Sequence, residues 1–261
     1  MKKLFIFLIF FIVYTTVYAQ DTLRIMTYNI ASGLNANMEQ IGQYIKEQKV
    51  DIVLLQEVEL RTNRPETPHQ KYKNQMAELG FYSDMLPIFG KTNLYRTGGY
   101  YGLGILSQHH IQSLTNVPLP QVVDKKEPRS MLIATWEING TTLTIVTTHL
   151  SLNKQNREAQ MKFIKKYLKK IKGIKLICGD LNSYYTEGLV AHIFDKWQDA
   201  LPYPALTFPN TKPDMKLDWI LYEKKAPIEV LYSEVDSTCQ LSDHLPCFAD
   251  IIINPSKLSS K

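Results

Sequence analysis

Ile177-Cys178-Gly179-Asp180-Leu181-Asn182, read together with Ser242-Asp243-His244 near the C-terminus, decides how this chain is organised. A mostly apolar run from Ile174 to Cys178 ends abruptly in Gly-Asp-x-Asn, so a buried strand delivers a carboxylate and a carboxamide to one point. Ser242-Asp243-His244 brings a second carboxylate with an imidazole beside it. Unpaired buried charge is expensive, so acids and an imidazole gathered at strand ends call for a cation or a reaction.

The same pattern recurs along the chain. Leu23 to Tyr28 ends at Asn29, Ile52 to Gln56 ends at Glu57, and Leu143 to Thr148 ends at His149. Leu217-Asp218-Trp219-Ile220 carries an acid inside an apolar run, and Asp243-His244 immediately precedes another strand. Taken singly, each has an ordinary structural reading. Asn29 caps a turn, Asp180 caps a helix, Asp218 is a paired core acid, and His149 is a satisfied core histidine. Their coincidence at so many strand ends favours a site. Like-charged carboxylates raise one another's pKa unless a cation intervenes. Oxygen ligation by Glu and Asp suits Mg²⁺ or Mn²⁺, whereas zinc prefers sulfur and nitrogen ligands.

Between these ends, apolar runs alternate with helical periodicity. Strands are expected over 23–30, 51–56, 102–107, 131–138, 142–148, 174–178, 217–222 and 246–253, with helices over 38–48, 72–79 and 154–171. The last helix has Met161, Ile164, Leu168 and Ile171 in one stripe, and its lysines read as a solvated outer face. No repeat or linker divides the chain, so sheets covered by helices in a single layered α/β domain are expected over 20–261.

The motifs Met26-Thr27-Tyr28-Asn29-Ile30, Leu55-Gln56-Glu57-Val58, Thr148-His149-Leu150, Gly179-Asp180-Leu181-Asn182, Leu217-Asp218-Trp219-Ile220 and Ser242-Asp243-His244-Leu245-Pro246 together resemble those of the endonuclease/exonuclease/phosphatase superfamily, in the same order. The resemblance implies a four-layer α/β sandwich with two central mixed β-sheets flanked by helices. It also implies a metal-dependent phosphoester hydrolase with its site at one sheet edge. By that resemblance Glu57 is the principal metal ligand, with Asp243 and Asn29 contributing. Asp180 orients or deprotonates the attacking water, Asn29 and Asn182 hold phosphate oxygens, and His244 pairs with Asp218. His149 protonates the leaving oxygen or binds the phosphate. Phe208 lines the substrate pocket or closes the core.

The expected cofactor is Mg²⁺ or Mn²⁺. The expected partner is a phosphoester substrate: a phosphodiester of nucleic-acid or phospholipid type, or alternatively a phosphomonoester such as an inositol phosphate. A non-catalytic phosphate-binding module is the remaining reading. A monomer with no obligate protein partner is expected. Arg157 reads as structural, His109 and His110 as surface residues, and 87–101 as a rim loop. Arg129 opens another strand, and a contact with phosphate there is a guess.

The N-terminus reads as a secretory signal peptide over residues 1–19. Lys2 and Lys3 precede the apolar run Leu4 to Val13, and Val17-Tyr18-Ala19 supplies small-residue cleavage chemistry. Export follows if it is cleaved, and a membrane anchor if it is not. Removing two lysines takes the formal net charge from +5 to +3 (5 − 2), a weak argument for an anionic substrate. Of three cysteines, Cys178 reads as core, while Cys239 and Cys247 either stay free or bridge in an oxidising compartment.

Overall fold

Two parallel strand–helix–strand crossovers set the architecture. In the first, β1 (Leu23–Asn29) passes through α1 (Met38–Glu47) to β2 (Ile52–Leu60), and the strands pair in parallel. In the second, β7 (Thr141–His149) passes through α3 (Lys154–Leu168) to β8 (Ile174–Asp180), again in parallel. The computed structural model describes residues 22–67, 70–123 and 125–254, and the expected signal peptide lies outside them. Among the described residues no helix is long and apolar enough to cross a membrane.

Antiparallel strands extend each pair into a six-stranded sheet. The first sheet adds α2 (Gln75–Ser83) and β3 (Leu86–Leu94), β4 (Tyr100–Ser107), β11 (Ile228–Val235) and β12 (Cys247–Ile253), in the order β11-β12-β1-β2-β4-β3. The second adds β5 (Ser113–Pro118), β6 (Ser130–Ile138), α4 (Leu189–Ile193), β9 (Trp197–Asp199) and β10 (Asp218–Glu223), in the order β5-β6-β7-β8-β10-β9. Sequence periodicity anticipates the eight inner strands and three helices to within a few residues.

The four strands it misses, β3, β5, β9 and β11, are the four sheet edges. Edge strands carry polar residues that discourage edge-to-edge pairing, so they lack the apolar run that betrays an inner strand. The expected rim loop over 87–101 is corrected accordingly. Most of it is β3, joined by a short turn to β4.

Strand alternation sorts the apolar residues into three cores, giving the four-layer sandwich that the motifs imply. Ile25, Leu54, Ile145, Leu176, Cys178, Ile220 and Ala249 fill the seam between the sheets. Their neighbours Met26, Val53, Leu55 and Phe248 pack outward under α1 and α2, with Met38, Ile41, Ile45 and Leu79. Val146, Ile177 and Leu221 pack under α3 and α4, with Met161, Ile164 and Leu168. The helices start where their caps dictate. Asn37 and Gln40 form a reciprocal capping box for α1, and Asn153 accepts from the Gln155 and Asn156 N–H groups at the start of α3.

Candidate active site

A strand side chain two residues on from another points the same way. The seam-facing series Ile25, Thr27 therefore continues to Asn29, Leu143, Ile145, Thr147 to His149, and Leu176, Cys178 to Asp180. β1/β2 and β7/β8 are parallel pairs, and their C-terminal ends lie at the same end of the seam, where Asn29 meets Asp180 across it. Asp218 starts β10 as the antiparallel register partner of Asp180, and His244 enters just before β12, which runs antiparallel to β1. Six strands of two sheets thus deliver polar side chains to one place.

Two local departures from regular structure complete it. Strict alternation would turn Glu57 away from the seam. The β2–β4 register shifts between Leu55 and Val58, and Glu57 takes φ +58°, so the bulge re-aims its carboxylate into the site. At Gly179, φ is +132° and a Cβ would sit 2.1 Å from the Thr148 carbonyl oxygen, so only glycine lets β8 approach β7 this closely. Beneath both, the fully buried Gln56 joins the sheets. Its Nε2 lies 3.2 Å from Thr27 Oγ1 and 3.1 Å from Leu54 O on one side and 3.1 Å from Thr147 Oγ1 on the other, within reach of all three acceptors.

Asn29 is the hub. Its Nδ2 lies 3.2 Å from Glu57 Oε1, 3.2 Å from Asp180 Oδ2 and 3.4 Å from His244 Nε2, while its oxygen accepts from the Ala31 N–H at 3.0 Å. Asn29 offers the site a donor, and its oxygen is turned back to the chain.

His244 Nδ1 is 2.8 Å from Asp218 Oδ2, the expected pair. Its Nε2 is 3.8 Å from Asp180 Oδ2, which also lies 3.3 Å from His149 Nε2. Asp180 Oδ1 accepts the Asn182 N–H at 2.8 Å, and the Asn182 amide donates to the Leu150 carbonyl at 2.9 Å. Asn182 therefore holds Asp180 and the end of β7, with one of its amide N–H groups already committed. Asp243 is half-buried, with Ser242 Oγ 3.3 Å from its carboxylate. Phe208 packs its half-buried ring 4.8 Å from the His244 ring, between centroids.

Sequence reasoning assigned no role to Tyr101, whose hydroxyl is 3.4 Å from His149 Nδ1. A tyrosine at a strand start carries no signal of its own. Arg157 is structural as expected, paired with Glu187 at 2.7 Å and donating to the Ser151 and Leu152 carbonyls. His109 and His110 lie away from the site, His109 against Asp51 at 3.3 Å. Cys178, Cys239 and Cys247 are all free and buried, so the bridge between the last two does not form.

Burial and charge push the two histidines apart. Burial pulls the His244 imidazole down, but Asp218, with Asp180 and Asp243 behind it, outweighs burial and lifts the pKa to about 10. His149 faces Asp180 at 3.3 Å but gains no comparable lift from it. Burial, with the positive charges of Arg129 and His244, holds it well below its ordinary value and neutral. Burial raises Asp180, against the opposing pull of His244. Burial also raises Glu57, with Asp243 adding to the shift and Asn29 and His244 opposing it.

A divalent cation fits these acids. Asp180, Asp218 and His244 place ligating atoms within 4.8 Å of one another. In that trio, however, the close Asp218–His244 hydrogen bond already occupies Nδ1. The Glu57 carboxylate senses the charge of Asp243, and among the described residues neither acid is paired with a Lys or Arg, although His149 Nδ1 lies 3.9 Å from Glu57. An oxygen-seeking ion is better served there, with Asp180 facing it, while Asp218–His244 stays a dyad.

The family model described as Endonuclease/Exonuclease/phosphatase family matches residues 26–244. A curated relative, the uncharacterized protein YbhP of Escherichia coli K12, is 25% identical over 254 residues, covering 89% of this chain and 97% of its own. Among solved structures, an endonuclease/exonuclease/phosphatase family protein of Bacteroides thetaiotaomicron superposes with a TM-score of 0.74 at 15% identity, covering 91% of this chain and 100% of that one. A mannosyl-6-phosphatase of the same species superposes with a TM-score of 0.72 at 14% identity, covering 88% of this chain and 100% of that one. These structures share the fold.

Proposed function

The chain belongs to the endonuclease/exonuclease/phosphatase family, and from that premise we propose that it is a divalent-metal-dependent phosphohydrolase, cleaving a phosphoester by in-line attack of an activated water. The observation that carries this reading is the convergence on Asn29. One amide nitrogen stands within 3.4 Å of a carboxylate from each sheet and of an imidazole that a buried acid keeps protonated.

Glu57 and Asp243 would hold Mg²⁺ or Mn²⁺, which when bound neutralises charge on the phosphoryl oxygens and aligns the displacement. Asp180, raised by burial and fixed by the Asn182 N–H, orients the water and takes its proton. A carboxylate lifted from its ordinary range is a better base near neutrality. His244, kept in its charged form by Asp218, presents Nε2–H to the phosphoryl oxygens and stabilises the negative charge that gathers there. Neutral His149, aligned by Tyr101, hydrogen-bonds the phosphate or the leaving oxygen. Phe208 backs the His244 ring and limits its movement.

The substrate class is a phosphodiester of nucleic-acid or phospholipid-headgroup type, met outside the cytoplasm after export. A phosphomonoester is the second reading. The mannosyl-6-phosphatase with the same fold favours it. Purified mature protein with Mg²⁺ or Mn²⁺ is expected to hydrolyse bis-p-nitrophenyl phosphate or p-nitrophenyl phosphate, and EDTA to stop it. The diester-to-monoester rate ratio separates the two readings. If the wild type and an Asp180→Ala, His244→Ala double variant prove equally inert across a broad phosphoester panel, the hydrolase reading fails.

A further inference from the structure

Beside Glu57 a pocket of about 270 Å³ opens between the β3–β4 hairpin and the segment that leads into β6. Arg64, Asn93, Tyr95, Tyr101, Glu127 and Arg129 line it. Nothing in the catalytic reading above uses it, yet it touches that site at both Glu57 and Tyr101. Its guanidiniums are unequally served. Arg64 donates to the buried Glu59 carboxylate (2.5 Å) and to Tyr95 Oη (3.0 Å), and it stacks 5.0 Å above the Tyr95 ring.

Arg129, only 5% exposed, uses Nη2, on Glu127, while its Nε and Nη1 have no hydrogen-bond partner among the described residues. A buried guanidinium with donors left over is costly, because its fork is built to grip a planar or tetrahedral anion at two points. Among the described residues, the carboxylate bonded to it is an exposed one. The Glu127 side chain is 46% exposed, and its other oxygen is 3.5 Å from Ser151 Oγ, at the limit of a hydrogen bond. An exposed carboxylate of this kind gives up its partner at little cost.

We propose that this pocket is a specificity subsite for a second anionic group of the substrate, a carboxylate or phosphate carried beside the scissile phosphoester, and that Glu127 occupies the place of that group until substrate displaces it. The proposal rests on the scissile phosphate lying between Glu57 and His149. Arg129 grips the displacing anion with the donors it now leaves idle. The half-buried Asn93 amide, which has no hydrogen-bond partner among the described residues, and the Tyr95 ring face the linking group. The substrates selected are then small molecules with two negative centres, in preference to esters of neutral alcohols.

The test is equilibrium binding by titration calorimetry on the full mature protein with Mg²⁺, using ethyl phosphate, phosphoglycolate and 3-phosphoglycerate. At least one of the two-anion ligands should bind about tenfold tighter than ethyl phosphate, equivalent to about 1.4 kcal/mol. Glu127→Gln, a half-exposed position, should enlarge that ratio several-fold by removing the internal competitor. Arg129→Gln should collapse the ratio towards one. Equal affinity for all three ligands, or a ratio that Glu127→Gln leaves unchanged or lowers, overturns the proposal. Hydrolysis of bis-p-nitrophenyl phosphate is measured alongside. Turnover without the affinity ratio sinks the subsite alone, and the ratio without turnover on any phosphoester sinks the hydrolase reading alone.

Discussion

His244 Nδ1 lies 2.8 Å from Asp218 Oδ2, with both side chains buried and 26 residues apart in the chain. That contact favours the charged form of His244 at neutral pH. Asp218→Asn and His244→Gln should each lower kcat by about 10²–10⁴-fold, in line with loss of an acid–base or charge-stabilising group. Circular dichroism of both variants should stay native.

The same pair makes a prediction about stability against pH. The His244 pKa of about 10 in the fold lies above the ordinary unfolded value of about 6.5. A raised pKa means that the contribution is complete below about 6.5 and disappears as pH rises through about 10. Urea unfolding in EDTA should therefore show Asp218→Asn losing more stability, relative to wild type, at pH 6 than at pH 10.5. An equal loss at both values would remove the charged pair from the explanation.

Glu57 is assigned to the metal. Mg²⁺ or Mn²⁺ should raise the wild-type Tm in a concentration-dependent way, since a ion bound only by the folded state stabilises by mass action. Glu57→Gln should weaken the apparent metal affinity at least about tenfold, read from the same Tm titration and from the metal dependence of kcat.

Gly179→Ala tests how closely β7 and β8 must approach. The added methyl meets the Thr148 carbonyl oxygen at 2.1 Å with φ at +132°. Strain and overpacking together should cost about 3 kcal/mol or more by chemical denaturation. Because Asp180 is the next residue, kcat should fall in whatever protein remains folded.

Arg157 provides the contrast. Its guanidinium is buried against Glu187 and two carbonyls, outside the chemistry. Arg157→Met should cost about 3–5 kcal/mol, since it strands a carboxylate that is largely buried. At a temperature where the variant is folded, kcat should stay within about twofold of wild type, as for a site whose effect is purely on stability.

Much of the site is legible in the sequence alone. Asn29, Glu57, His149 and Asp180 each end an apolar run, and a polar residue that breaks such a run needs a reason for being there. The inner strands announced themselves through seam residues such as Ile145 and Leu176. The edges did not, because β3 and β5 are mostly solvent-facing and read as loop. Gln56 was visible only as part of a motif. Its bridge to Thr147 spans 91 residues of chain, and no local pattern predicts which hydroxyl from the other sheet will meet it. Arg129 and Tyr101 look like ordinary strand-start residues until the fold sets them beside Glu57 and His149.

By itself the sequence determined the set of functional groups, their order along the chain and the family to which they belong, because these are properties of residue identity and spacing. Only the tertiary structure decided what each group is able to do. The β2 bulge turns Glu57 to the seam, Asn29 presents its nitrogen, and two histidines of the same intrinsic chemistry are driven to opposite protonation states. Those outcomes depend on burial and on charges a few ångströms away, and residues distant in sequence supply both.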